Sequence, residues 1–273
     1  MFDTPSAKRA RVYFMISLVL SAVLAVSHTL VMAFFYDESL FVYDRVSPFP
    51  AIIYGISAGV IVLLLVSMFS LKSNELCTKH LPQNRFSTFC SLLCGFLLIA
   101  SLLLNVVNTV RDIYPTPASW RIVSLVFALP AALYFIASSF KTDADPKKLA
   151  WLSMCVIIWA GFYLISLYFE IDSPIKSPVR ILNQLSLLAV MLAMVFETRI
   201  LLSVARPRLY FAVTLGAVLL IALASVSDIA LTIASLRPAS ADSAFRLAEI
   251  AMMLYFSARL GQTLWYDGKI EEE

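Results

Sequence analysis

Charge is what this sequence has least of. Only 14% of its residues are charged, whereas soluble domains carry about 25%. In a 273-residue chain that is 60% hydrophobic, that leaves too little polar surface to cover a water-soluble fold. The composition therefore excludes a soluble globular protein and points to a polytopic membrane protein. Glycine is also scarce, with 7 in the whole chain and no glycine-rich loop to cradle phosphates, which argues against nucleotide chemistry. Two histidines and four cysteines supply no H-E-x-x-H and no cluster at metal-ligand spacing, so neither a metal nor a cofactor is expected. Cys90 and Cys94, one turn apart, read as two small packing residues. Basic residues form only small groups beside apolar runs, which excludes a nucleic-acid surface.

Eight apolar windows are present: 12–36, 50–71, 86–110, 117–140, 149–170, 179–204, 208–235 and 244–266. Each reaches the roughly 20 residues that a helix rising 1.5 Å per residue needs to cross the hydrocarbon. Connections are short, so residues 1–273 read as one polytopic membrane domain. The first window is longer than a secretory signal core and lacks a small-residue cleavage site after it, so it reads as retained structure.

Lys and Arg set the orientation. With the N-terminus inside, the inner segments hold Lys8, Arg9 and Arg11, then Lys72, Lys79 and Arg85, then Lys141, Lys147 and Lys148, then Arg199, Arg206 and Arg208, then Lys269. The outer loops hold fewer: Arg45, Arg111, Arg121, Lys176, Arg180, Arg237 and Arg246. Both termini are thus expected in the cytoplasm of a plasma (inner) membrane. The absence of an N-x-S/T sequon outside fits a bacterial type. The expected fold is an all-α integral membrane bundle of eight transmembrane helices. Faint echoes ("WRIVSL" at 120, "VRILNQ" at 179, "FRLAEI" at 245) suggest four helical hairpins in tandem, against which the small alphabet of membrane segments makes chance an equal competitor.

Polar residues inside the odd-numbered windows fall into stripes at three- and four-residue spacing, which share one helix face. These are Ser225, Asp228, Thr232 and Ser235; Ser101, Asn105, Asn108 and Asp112; Trp159, Tyr163, Ser166 and Glu170; and Ser17, Ser21 and His28. In lipid such stripes turn toward other helices or water. Asp228 lies about two turns, or roughly 10 Å, from the outer end of its window. His28, Asn105, Asn108, Asn183, Gln184 and Glu249 fall in the same half of the membrane. Together they are the candidate walls of an outward-opening cavity. For each Asn, interhelical hydrogen bonding is the competing reading. Asp228 needs a partner, with Arg246, His28 or an Asn pair as candidates. Nearer the inner surface, Glu197 and Arg259 occupy matching positions and are candidates for an ion pair closing the cytoplasmic side; separate snorkelling is the alternative.

"GISAG" (Gly55–Gly59) fits a serine-nucleophile pattern, but in an apolar helix it reads as Gly-xxx-Gly, which lets helices approach closely. The first outer loop, "FFYDESLFVYDR", sets aromatics in an interfacial belt, with acids that would draw cations toward the cavity mouth. The expected function is a transporter or carrier-like protein that takes a small polar or cationic solute, with Asp228 as charge-bearing ligand and Glu249 as second carboxylate. Two alternatives stand beside it. One is a sensory or partner-binding module, its C-terminal "YDGKIEEE" too short to signal without a protein partner. The other is an intramembrane hydrolase using Ser57 and His28. Expected partners are the lipid bilayer, the solute and, for the module, a second protein; nucleic acid is not among them.

Overall fold

The computed structural model describes residues 5–37, 40, 42–44, 47–71, 84–110, 118–140, 146–169, 174, 177–204, 206–236 and 243–265. Helices dominate: α1 (Pro5–Phe35), α2 (Phe49–Phe69), α3 (Arg85–Val110), α4 (Ala118–Ser139), α5 (Pro146–Tyr168), α6 (Pro178–Leu201), α7 (Pro207–Ile221), α8 (Ser227–Ile233) and α9 (Ser243–Leu264). A π-helical turn, Ala222–Val226, joins α7 to α8 without a break, so Pro207–Ile233 is one span. Among the described residues, sheet is confined to a short antiparallel hairpin, β1 (Tyr36–Asp37) with β2 (Val42–Tyr43), between α1 and α2. Among the described residues, seven spans are long and apolar enough to cross a membrane. The chain is an all-α, multi-pass membrane protein. The eighth long helix, α9, is the least apolar, since it carries Arg246, Glu249 and Arg259.

Helix boundaries follow from backbone chemistry. Proline opens α1, α5, α6 and α7, where its missing N–H would have had no helical acceptor. Two helices stop without glycine. Ser203 and Ser235 take φ of 59° and 57°. Past them, Val204 N–H bonds the Arg199 carbonyl at 2.8 Å and Leu236 N–H that of Leu231 at 3.0 Å. These are Schellman closures built on serine. They explain why the apolar windows, drawn to 204 and 235, overrun the helices by the residues of each closing turn.

Helix α9 lies inside the bundle. Its backbone packs on α3 and α7. Its side chains also meet α4 through Tyr134 and Tyr255, α5 through Trp159 and Phe245, and α6 through Glu197 and Arg259. Successive helices α3 to α7 pack on one another, α4 on α5 as closely as within any hairpin. Helices α1 and α2 flank the α7–α8 span, which is the most enclosed, and α2 is the least.

One expectation needs correction. Gly55 and Gly59 are exposed, and a Cβ at either would meet nothing within 4 Å. Among the described residues, the Gly-xxx-Gly of α2 makes no close approach. Close approach occurs instead at Gly95, where a Cβ would stand 2.6 Å from Ile136 Cγ1 and 3.1 Å from the Ala132 carbonyl oxygen. Buried Cys90, Cys94, Ala128, Ala131 and Ala132 continue this small-residue seam between α3 and α4, the packing role expected of the cysteine pair.

Candidate functional site

Where α7 passes into α8, the span presents different residues to the two helices beside it. Ser225 and Asp228, three apart, face α9, and Ser227 faces α1. Ser225 sits in the π turn, a feature that often marks functional sites. On α9, Arg246 donates to Glu249 Oε2 at 2.7 Å, one turn along the same helix. Ser225 also donates to Glu249 Oε2, and Ser186 of α6 donates to Oε1 at 3.0 Å. Glu249 is fully enclosed. Arg246 Nε lies 4.0 Å from Asp228 Oδ2, and the Asp228 side chain keeps 16% exposure. Two carboxylates from different helices therefore share one guanidinium, one of them held closely and the other at longer range.

His28, buried on α1, forms a second cluster on the other side of the α7–α8 span. Its Nδ1 is hydrogen-bonded to Ser227 at 3.0 Å and its Nε2 to the Tyr54 hydroxyl at 3.0 Å. The Tyr43 hydroxyl bonds both Nε2, at 3.3 Å, and Tyr54, at 2.9 Å. Ser57 donates instead to the Ile53 carbonyl of its own helix at 2.8 Å. No hydrogen bond joins Ser57 to His28 among the described residues. A hydrolase built on that pair has no nucleophile–base contact in its favour.

The other candidates in this half lie in different surroundings. Asn105 accepts from Arg121 Nε at 3.3 Å and Nη2 at 3.1 Å, and donates to the Ser101 carbonyl at 2.8 Å. It fastens the C-terminal end of α3 to the start of α4. Asn183 is half-buried, and Gln184 lines an apolar groove with Leu164, Ile181, Leu185 and Leu188. The side chain of Asn108, and residues Asp112 and Glu170, lie outside the described residues. Of the α5 stripe, Trp159 and Tyr163 pack on Phe245 with ring centroids 5.7 and 4.4 Å apart, an aromatic core contact. Ser17 and Ser21 are buried, and neither hydroxyl has a hydrogen-bond partner among the described residues.

A third cluster lies toward the opposite end of α9. Arg259 Nε and Nη2 both reach Glu197 Oε1 at 3.3 Å, with both side chains enclosed. Tyr210 donates to Glu197 Oε2 at 2.7 Å, Tyr255 to Oε1 at 3.4 Å, and Tyr134 lies 3.3 Å from the Tyr255 hydroxyl. Gln262 accepts from Arg259 Nη1 at 3.2 Å. Sequence reasoning found the ion pair but not its tyrosines. The available signal was Tyr255, one turn before Arg259 on the same face. The two α9 clusters also fix direction, because Ser186 precedes Glu197 on α6 as Glu249 precedes Arg259 on α9. The two helices run parallel.

Among the described residues there is no group of three His, Cys, Asp or Glu side chains placed to hold a metal. Comparison with known protein families, curated proteins and solved structures finds no match.

Proposed function

We propose that this chain is a carrier-like plasma-membrane protein of eight spans, α9 being the eighth, with both termini cytoplasmic. In this reading it takes a small polar or cationic solute in the outer half of the membrane. The observation that carries it is the sharing of Arg246 by Asp228 and Glu249. Glu249 holds the close contact to the guanidinium and Asp228 the longer one, at 4.0 Å, so the partly open Asp228 carboxylate is the group placed to exchange Arg246 for a positive solute group. Glu249, saturated and enclosed, sets the position of Arg246. Asp228, farther from the guanidinium and partly open, is the ligand. His28 stands in its own cluster on the α1 side of the span, Asn105 is engaged with Arg121, and Gln184 lines the α5–α6 groove, so the proposed site rests on Asp228, Arg246 and Glu249. The Glu197–Arg259 pair closes the cytoplasmic end, and the Lys and Arg bias along the chain supports the orientation.

The test is uptake of a panel of radiolabelled polar and cationic solutes into liposomes holding the purified full-length protein. One or more solutes should accumulate above empty liposomes, and Asp228→Asn should cut that uptake by about tenfold or more. Uptake of none of them, or uptake indifferent to Asp228→Asn, would overturn the reading.

A partner-binding module that moves no solute has one observation in its favour. An apolar groove of about 410 Å³ between α5 and α6 is lined by Leu164, Ile165, Tyr168, Ile181, Leu185 and Leu188. Stoichiometric co-purification of one membrane partner, released by Leu185→Gln, is the result that would distinguish it.

A further inference from the structure

Residues 198–227 contain no Asp or Glu but three arginines, and all three fall where α6 gives way to α7. Arg199 lies in the last turn of α6, Arg206 caps α7 and Arg208 stands in its first turn. The connection between the helices is tight. Ser203 takes the left-handed conformation, and the Val204 N–H returns to the Arg199 carbonyl at 2.8 Å. Tyr210, in the first turn of α7, donates to Glu197 near the end of α6 at 2.7 Å, so the two helix ends are held together. Arg199 Nε donates to the Val204 carbonyl at 3.3 Å, which draws its guanidinium over the turn, two residues before Arg206. The positive end of α7 adds to the same charge, since its cap residue makes no side-chain bond to the first turn.

Among the described residues, no carboxylate pairs with any of these three arginines. Glu197 is near in sequence, but it is engaged with Arg259, Tyr210 and Tyr255. Arg206 is exposed, and Arg208 Nε is buried with no hydrogen-bond partner among the described residues, a donor whose desolvation no bond offsets. Topology accounts for basic residues beside a span, and lysine serves that purpose as well as arginine. It does not account for three guanidinia without a counter-charge on one turn. Guanidinium forks match the oxygens of a phosphate. On the same turn Leu202, Val204 and Leu209 are 47%, 59% and 39% exposed, so apolar side chains lie open beside the arginines, as at a lipid boundary. We propose that the α6–α7 turn binds an anionic phospholipid, its headgroup phosphate held by Arg199, Arg206 and Arg208 and its acyl chains against Leu202 and Leu209. This goes beyond the carrier reading. It needs no solute, and it holds whichever side of the membrane the turn faces.

Phosphatidylglycerol with a fluorescent acyl tail is the probe, titrated with the full-length protein in uncharged detergent and followed by anisotropy, beside phosphatidylcholine with the same tail. Saturable binding of phosphatidylglycerol is expected. Phosphatidylcholine, whose phosphate is balanced by its own ammonium, should bind about tenfold more weakly. Arg206 is exposed, so Arg206→Gln leaves the bundle intact and should weaken phosphatidylglycerol by about fivefold, while Arg206→Lys recovers part of the loss. Adding Arg208→Gln to Arg206→Gln should bring the loss to about twentyfold. Arg85→Gln removes an exposed cation from the start of α3, which packs on α4 and α9, and should change the affinity by about twofold or less. Absence of saturable binding overturns the proposal, as does equal affinity for phosphatidylcholine. Full affinity in the Arg206→Gln/Arg208→Gln protein overturns it too, and so does an equal loss in Arg85→Gln and Arg206→Gln, which would reduce the binding to general charge attraction. Displacement of the lipid by millimolar inorganic phosphate would overturn the lipid as occupant and assign the arginines to a soluble phosphate compound.

Discussion

Glu197 of α6 and Arg259 of α9 meet at 3.3 Å with both side chains enclosed, and the hydroxyls of Tyr210 and Tyr255 complete the carboxylate's shell. A buried ion pair of this kind is weak as a source of net stability but costly to break from one side.

Arg259→Met takes the guanidinium from a carboxylate enclosed among tyrosines, and Glu197→Leu takes the carboxylate from an enclosed guanidinium. Each single substitution should destabilise the protein by about 3–5 kcal/mol, whereas the Glu197→Leu/Arg259→Met double substitution should cost less than either. Chemical unfolding in detergent, followed by circular dichroism across the four-member cycle, measures the coupling. Additive costs would mean that the two residues do not act as a pair.

The two carboxylates near Arg246 should respond unequally. Glu249 accepts from Arg246, Ser186 and Ser225 with no exposure, so Glu249→Gln turns an amide N–H₂ toward at least one donor and should cost about 3 kcal/mol. Asp228 stands 4.0 Å from Arg246 and is partly open, so Asp228→Asn should cost about 1 kcal/mol or less. Thermal unfolding of both variants gives the order. Equal losses would remove the division of labour in which Glu249 positions Arg246 and Asp228 receives the solute.

Long apolar runs made the helices legible, because lipid obliges a spanning segment to satisfy its backbone internally. The three- and four-residue spacing also identified the faces of Ser225, Asp228 and His28, and matching positions found Glu197 with Arg259. Spacing gives a face but not the helix it meets. Trp159 and Tyr163 formed a stripe as regular as that of Asp228, yet they close an aromatic core on Phe245. Ser227, Tyr54 and Arg121 gave no periodic signal, because each joins its polar partner from another helix. Tyr134, Tyr210 and Tyr255 carry their polar atom at the tip of an apolar ring, so their role emerges only when three helices converge on Glu197.

Glycine packing offers a test of the bundle itself. Gly95→Ala places a methyl 2.6 Å from Ile136 Cγ1 and near the Ala132 carbonyl oxygen, so α3 and α4 must part or Ile136 must change rotamer. A loss of about 1–3 kcal/mol is expected. Gly55→Ala and Gly59→Ala meet open space and should change stability by about 0.5 kcal/mol or less, or raise it slightly through helix propensity. The three melting curves decide between the seams. Loss at Gly59 with none at Gly95 would reverse the assignment of the close contact.

Substitutions of Ser21 on α1 and of Ser225 in the π turn should differ in sign. Ser21 of α1 is buried at 3% exposure with no hydrogen-bond partner for its hydroxyl among the described residues. Its side chain bears a desolvation cost that no bond offsets. Ser21→Ala removes that cost, adds helix propensity and loses a single oxygen's volume, so it should stabilise by about 1 kcal/mol. Ser225 is equally buried, but its hydroxyl donates to Glu249, one of three donors on that carboxylate. Ser225→Ala withdraws a donor from an enclosed charge and should destabilise by about 1.5–3 kcal/mol. Both can be measured by thermal unfolding in the same detergent. A loss at Ser21 as large as that at Ser225 would mean that its hydroxyl is bonded in the membrane, through water held between α1 and its neighbours.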